Sequence, residues 1–189
     1  MGTETDPRRC LLIAMPQLQD PNFSQTTSLL SEFNQEGAMG LVLNRPLNIT
    51  LDQLLSDEEK PKLKISVRTY WGGPVQNQVG WILHEDESLA SESLLIEPKL
   101  FLTSSPNALQ RLVEGAGQEG APRFRFYLGY AGWGQGQLEQ EMAAASWVTT
   151  PINRDLVFDD DPSSLWARSL QAIGVDPMKL SAQPQTAAN

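Results

Sequence analysis

His84 is the only histidine and Cys10 the only cysteine among 189 residues, so any Ser-His or Cys-His machinery would have to recruit one of these two. Glu85, Asp86 and Glu87 follow His84 directly and are expected to raise its pKa, yet the position closes an apolar run and reads most simply as a strand-end histidine in a polar loop. Arg8 and Arg9 beside Cys10 would favour a thiolate, whereas a small residue opening an apolar run reads as core. A single cysteine excludes an intramolecular disulfide and a zinc site built on paired thiolates. Asp159, Asp160 and Asp161 resemble a metal cluster, but consecutive carboxylates cannot all converge on one ion, and Asp161 before Pro162 suits a helix cap. No catalytic residue, metal or cofactor is assigned.

The residues that could hold a ligand without reacting with it are glycines and one arginine. Gly115-Ala116-Gly117-Gln118-Glu119-Gly120 spells the dinucleotide glycine pattern, but a helix precedes it and a strand follows, the reverse of the order in which that pattern presents a helix N-terminus to a pyrophosphate. Walker, nucleophile-elbow and His-Glu-x-x-His motifs are absent. Residues 129–136 form a glycine-rich stretch between strand and helix, in which Gly132, Trp133 and Gly134 are the candidate wall of a pocket; packing by Trp133 in a structural loop is the competing reading. Glu139 and Glu141 near the helix start already satisfy its dipole and oppose a phosphate there. Arg45, beside Asn44 at the end of an apolar run, could grip a carboxylate or phosphate through its planar fork, or close an internal salt bridge. Gly72 and Gly73 before Pro74 are further ligand-site candidates, or a tight turn. Two functions follow: a binding protein with an unknown protein or small-molecule partner, or an enzyme or small-anion binder using a cleft of Asn44, Arg45 and the stretch 132–136.

The elements that must position these residues are readable in part. Apolar or β-compatible runs at 10–15, 26–33 and 38–43 predict strands, the last two joined as a hairpin through the polar turn at 34–37. Thr50 with Gln53 predicts a capped short helix. Strands are expected at 79–83, 94–96 and 100–102, and a helix from Ser105-Pro106 to Gly115. Residues 123–128 alternate cleanly, Phe124, Phe126 and Leu128 against Arg123, Arg125 and Tyr127, which predicts one wet face. A helix carrying Leu138 and Met142, a strand at 147–150, and a last helix from Pro162 to Ile173, capped by Asp161, complete the chain. Strands and helices do not alternate, so the fold class is α+β: a mixed, largely antiparallel sheet with about four short helices around it. One domain is expected over residues 10–176, with a flexible segment at 1–9 and a flexible tail at 177–189.

The net charge of −9 repels phosphate backbones, which disfavours direct nucleic-acid binding. Lys60, Lys62 and Lys64 are the nearest approach to a basic patch, and Asp57, Glu58 and Glu59 precede them as a mixed, solvated face. Residues 1–9 lack the apolar core of a signal peptide, and no uncharged run approaches the ~20 residues of a bilayer span, so a cytoplasmic protein without membrane contact is expected.

Several segments together resemble one family. Met15-Pro16-Gln17-Leu18-Gln19-Asp20-Pro21-Asn22-Phe23 and Gly37-Ala38-Met39-Gly40-Leu41-Val42-Leu43-Asn44-Arg45-Pro46 are similar to the opening of the bacterial YqgE/AlgH family. Gly72-Gly73-Pro74-Val75, Gly80-Trp81-Ile82-Leu83-His84, Leu128-Gly129-Tyr130-Ala131-Gly132-Trp133, Gly136-Gln137-Leu138-Glu139, Trp166 and Ile173-Gly174-Val175-Asp176 continue the likeness in the family's order. The resemblance implies a compact α+β fold whose sheet curls towards a barrel, a bacterial cytoplasmic setting, no established reaction or cofactor, and an indirect role in transcriptional regulation. This chain departs from the family pattern at Phe33, where histidine is frequent, and at Gln25-Thr26-Thr27, where a basic-Ser-Val stretch is common.

Overall fold

A computed structural model of the chain describes residues 9–56 and 65–177. The segments expected to be flexible, 1–9 and 177–189, lie outside the described residues except for Arg9 and Pro177, as do Asp57, Glu58, Glu59 and the lysines at 60, 62 and 64.

The sheet grows from short, strongly apolar strands. β1 (Leu11–Ala14) is buried on both faces and lies between β10 (Trp147–Thr150) and β2 (Thr27–Asn34). β2 and β3 (Gly37–Val42) form the expected hairpin, with Asn34 opposite Gly37 and the Asn34 side chain accepting from Glu36 N at 2.8 Å. The register slips between Leu30 and Glu32, and Ser31 at the slip donates its hydroxyl to Met39 O at 3.0 Å. After β4 (Pro46–Thr50) and the single turn α1 (Leu51–Leu54), β5 (Arg68–Trp71) leads into the ten-residue β6 (Val75–His84). A 3₁₀ turn (Glu87–Glu92), β7 (Leu94–Glu97), β8 (Leu100–Thr103) and α2 (Pro106–Gly115) follow. Ser105 caps α2 by accepting from Ala108 N at 3.2 Å, as its Ser-Pro start predicts.

β9 (Phe124–Gly134) is the longest strand at 11 residues, and it corrects the expected loop at 129–136. Its first half pairs in parallel with β5, Tyr70 opposite Tyr127, and antiparallel with β6, Ile82 opposite Phe126. Its second half pairs with β3, Ala38 opposite Trp133 and Gly37 opposite Gly134. Pairing partners, which a local reading cannot see, override the poor strand propensity of glycine. The main path runs β10-β1-β2-β3-β9-β6-β8-β7, with β4 and β5 attached beside β9. Its ends at β10 and β7 do not pair, so the sheet is not closed.

The sheet nonetheless bends around one apolar mass. Leu11, Leu29 and Leu41 from one limb meet Leu83, Leu100 and Leu102 from the other, together with Tyr127, Val157 and Leu165. A second cluster joins Leu12, Leu30, Trp133, Leu138 and Trp147, and a third packs Ala108, Leu112 and Val113 of α2 on Ile82 and Phe126. Strand β9 thus has interior on both sides, and the wet face expected for Arg125 and Tyr127 is also corrected: Tyr127 is wholly buried and Arg125 only 7% exposed. Arg125 tolerates this because Nη1 donates to Val157 O at 3.1 Å, Nη2 donates to Asp159 O, and the guanidinium lies 4.9 Å above the Tyr70 ring.

The remaining helices are α3 (Gln137–Ala143), α4 (Arg154–Val157) and α5 (Leu165–Ala172), five in all among the described residues and one more than expected. Asp161 accepts from Ser163 N and Ser164 Oγ and so steadies the turn into α5. Trp166 Nε1 donates to Ala14 O at 2.7 Å, which fastens α5 to β1. Among the described residues no helix is long and apolar enough to cross a membrane.

Glu141 of α3 ties two buried indoles: Oε2 accepts from Trp133 Nε1 at 3.1 Å and from Trp147 Nε1 at 2.7 Å. Glu141→Leu leaves both N–H groups unpaired, and urea denaturation followed by tryptophan fluorescence should show a loss of about 2–4 kcal/mol; a change within ~0.5 kcal/mol would mean that neither hydrogen bond matters to stability.

Candidate functional site

Asn44 and Arg45 sit where β3 leaves the sheet, and both bond to the backbone nearby. The Asn44 carboxamide accepts from Thr27 N at 3.0 Å and donates to Gln25 O at 2.9 Å, while Arg45 Nη2 donates to Ser24 O at 2.6 Å. They pin the segment before β2. Gly132 pairs with Met39, near the start of β3. Neither Asn44 nor Arg45 is among the residues that line the hollow at Gly132.

Gly132, Trp133 and Gly134 do come together with other groups. They line a hollow of about 440 Å³ at the far end of the β2–β3 hairpin, with Val75 and Tyr130 as walls and Glu32, Asn34 and Glu36 around the rim. The floor is glycine backbone. A Cβ on Gly132 would make only ordinary contacts, 3.5 Å to Tyr130 and 3.6 Å to Val75, and one on Gly134 would find its nearest neighbour at 4.0 Å. Trp133 is held by the Glu141 hydrogen bond, by stacking on Phe23 at 5.8 Å and by an edge contact with Trp147 at 5.9 Å. Two carboxylates and no basic group line the hollow, which favours cationic or hydrogen-bond-donating ligands and opposes anions. Gly72 and Gly73 lie beside this region but are filled by backbone, since a Cβ there would meet Gly129 O at 2.3 Å and Tyr130 C at 2.0 Å.

His84 is fully buried at the end of β6 and stacks on Phe101 with ring centroids 5.5 Å apart. Its Nδ1 accepts from Asp86 N at 3.2 Å. Ser93 Oγ donates to Leu89 O at 2.8 Å, so at its 3.0 Å contact with Nε2 it must accept, which assigns the neutral Nε2–H tautomer. Burial lowers the imidazole pKa, and Asp86 and Glu92 oppose this only in part. The net shift is therefore downward, where the acidic run in the sequence suggested a rise. Glu85 is turned away to the fork of Arg123, at 2.7 and 2.9 Å. Cys10 is likewise buried, and desolvation pushes its thiol up to about 11. Arg9 does not serve that thiol, because its guanidinium donates to the carbonyls of Leu95 and Ile96 on the edge strand β7.

Two further cavities escaped the sequence reading because distant segments build them. The larger, about 550 Å³, lies between Thr150 of β10 and Glu97 of β7, where the sheet fails to close. Its charges satisfy one another: Arg154 approaches Glu85 at 3.4 Å and Glu97 at 3.8 Å, and Arg123 reaches Asp155 at 3.5 Å. The smaller, about 340 Å³, is lined by Arg68, Arg125, Tyr70, Phe124, Ile65 and Asp160 among others. Only the alternation in 123–128 signals it, and alternation by itself points to a solvent face. The three aspartates diverge: Asp159 pairs with Arg168, Asp160 stands 3.8 Å from Arg125, and Asp161 steadies its turn.

Comparison with known proteins gives a consistent picture. An AlgH-like family profile matches residues 11–178. A UPF0301 protein of Nitrosococcus oceani is 38% identical over 179 residues, 93% of this chain and 94% of that protein. One from Myxococcus xanthus is 43% identical over 176 residues, 90% and 92% of the two chains. The solution structure of the AlgH protein from Pseudomonas aeruginosa superposes with a TM-score of 0.75 at 34% identity, covering 99% of this chain and all of that one. A crystal structure of a Corynebacterium diphtheriae protein has a TM-score of 0.69 at 19% identity over 96% of this chain and 90% of that one, a likeness of fold alone.

The buried imidazole makes stability depend on pH with a definite sign. Between its lowered folded pKa and the ordinary value near 6.5, the unfolded chain binds a proton that the folded protein refuses, so stability falls as pH drops through that window and is unaffected by this group above it. Burial raises the Glu97 carboxyl, which acts in the opposite sense but is common to wild type and variant. Urea denaturation at several pH values should therefore show a shallower pH dependence below about 6.5 for His84→Gln than for wild type; parallel curves would contradict the assignment.

Proposed function

Since the chain belongs to the AlgH-like family, we propose that it is a non-catalytic cytoplasmic binding protein with a regulatory role, and that the glycine-floored hollow at the end of the β2–β3 hairpin receives its ligand. The observation that carries this reading is the contrast among the glycines. Gly37, Gly72 and Gly73 are required by backbone contact, whereas a Cβ on Gly132 or Gly134 would meet no atom closer than 3.5 Å, so these two glycines are not demanded by packing. A side-chain-free floor lets a partner approach the backbone closely, and the walls Val75 and Tyr130 supply apolar contact. The rim carboxylates Glu32 and Glu36 select for a positively charged group.

The groups best able to react support a non-catalytic role. Both imidazole nitrogens of His84 are engaged, Cys10 is buried as a thiol, and neither lines any of the three cavities. The net charge of −9 supports regulation through a protein or small molecule rather than through phosphate contacts. A lone cysteine suits a reducing compartment.

The test is a thermal-shift series on the full chain with tyramine, agmatine and spermidine, compared with Gly132→Tyr, which fills the hollow from its floor. A ligand that stabilises the folded form raises its apparent melting temperature. At least one of these amines should raise the midpoint of the wild type and leave Gly132→Tyr unmoved. No shift with any amine, or equal shifts in both proteins, would contradict the assignment.

A further inference from the structure

The cavity at the N-terminal end of β9 has the opposite electrostatic character to the hollow, and we propose that it is a separate site for the oxyanion of a small organic acid, gripped by Arg125 and Arg68. The inference goes beyond the proposed hollow and does not depend on it.

Arg125 is a buried cation whose ion pair with Asp160 is, among the described residues, its closest contact with a carboxylate and a long one. Arg125 has a side chain only 8% exposed; it donates to two neutral carbonyls, Val157 O and Asp159 O, and the buried Tyr127 hydroxyl lies beside it. A guanidinium has five N–H donors, so these two carbonyls leave part of its fork available. Among the described residues the nearest carboxylate, Asp160, lies 3.8 Å away, beyond hydrogen-bond distance, on a fully exposed side chain. A carboxylate that stays in water at that distance neutralises a guanidinium only weakly. The Asp159 carboxylate acts on Arg125 only through space, being held by Arg168. A charge taken out of water without a tight partner is costly, and a bound oxyanion would relieve that cost.

The surroundings fit such a ligand. The cavity measures about 340 Å³, within the range of small-molecule sites. Arg68 adds a second, exposed guanidinium against the single carboxylate of Asp160, making this the one cavity of the three in which basic groups outnumber acidic ones. Val67 and Phe124 provide apolar wall, and Ile65, 41% exposed, stands at the same cavity. An acid with an apolar body therefore matches the lining better than a bare inorganic ion. Asp160 occupies the position of a weak internal competitor that an incoming oxyanion displaces.

Isothermal titration of the full chain with benzoate, phenyl phosphate and inorganic phosphate at low salt tests this. Saturable binding of benzoate or phenyl phosphate is expected, weakened about 10-fold by Arg68→Gln and tightened about 3-fold by Asp160→Asn, because one change removes an attractive charge and the other a competing one. Arg125→Met should abolish it; should that variant fail to fold, the two surface variants carry the test. Absence of saturable binding by either organic acid, or affinities that neither Arg68→Gln nor Asp160→Asn alters, would overturn the site. Inorganic phosphate binding as tightly as the organic acids would overturn the role of the apolar wall.

Discussion

The molecule depends on one place where backbones touch without side chains between them. Gly72 takes its amide to Leu128 O and gives its carbonyl to Val42 N, both at 2.8 Å, so it stitches β3 to β9 where β9 changes partner from β5 to β3. Gly73, at φ +153°, then lies so close to Tyr130 and Ala131 that a Cβ would fall 2.0–2.2 Å from their main-chain atoms. The approach is reciprocal, since a Cβ on Gly129 would sit 2.5 Å from Gly73 O. No L-residue with a side chain accepts such distances, and glycine alone lets one long strand serve both limbs of the sheet.

From that crossing follow the core and the two surfaces of interest. Because β9 belongs to both limbs, Leu29 and Leu41 on one side and Leu83 and Leu102 on the other share a single apolar cluster around Tyr127, and the sheet curls without closing. The two ends of β9 then emerge in different settings. Near Arg125 the strand faces a cavity in which guanidinium groups prevail; at Gly132 to Gly134 it floors a hollow rimmed by carboxylates. Eight residues of extended chain, from 125 to 133, separate them by on the order of 25 Å. A chain with net charge −9 thus keeps one basic recess at one end of its central strand and an acidic recess at the other.

How much of this the sequence revealed follows the range of the interactions. Local rules sufficed for β1, for the β2–β3 hairpin, for the Ser105-Pro106 start of α2 and for the Thr50–Gln53 pairing that caps α1. They failed where pairing is distant. The second half of β9 looked like a loop because its glycines have poor strand propensity, and only β3, some ninety residues earlier in the chain, makes it a strand. β4 and α4 are short and were not anticipated. The alternation around Arg125 was legible, but which side faced the core was not, since an arginine normally marks solvent and here finds carbonyls of the α4–α5 connection and the Tyr70 ring. The candidate glycines at 132 and 134 were visible from composition. Their acidic rim was not, because it comes from the hairpin turn at the other end of a pairing. The ordered run of motifs pointed to the family, which the comparisons bear out.

Two kinds of glycine lie side by side along this crossing, one demanded by backbone contact and the other not. Chemical denaturation of Gly73→Ala and Gly132→Ala separates them. Gly73→Ala should lose at least about 2 kcal/mol, from a forced clash at positive φ, and Gly132→Ala should change stability by no more than about 1 kcal/mol, because the new methyl meets only ordinary contacts. Equal and large losses at both positions would contradict this distinction, since the floor would then be part of the packing.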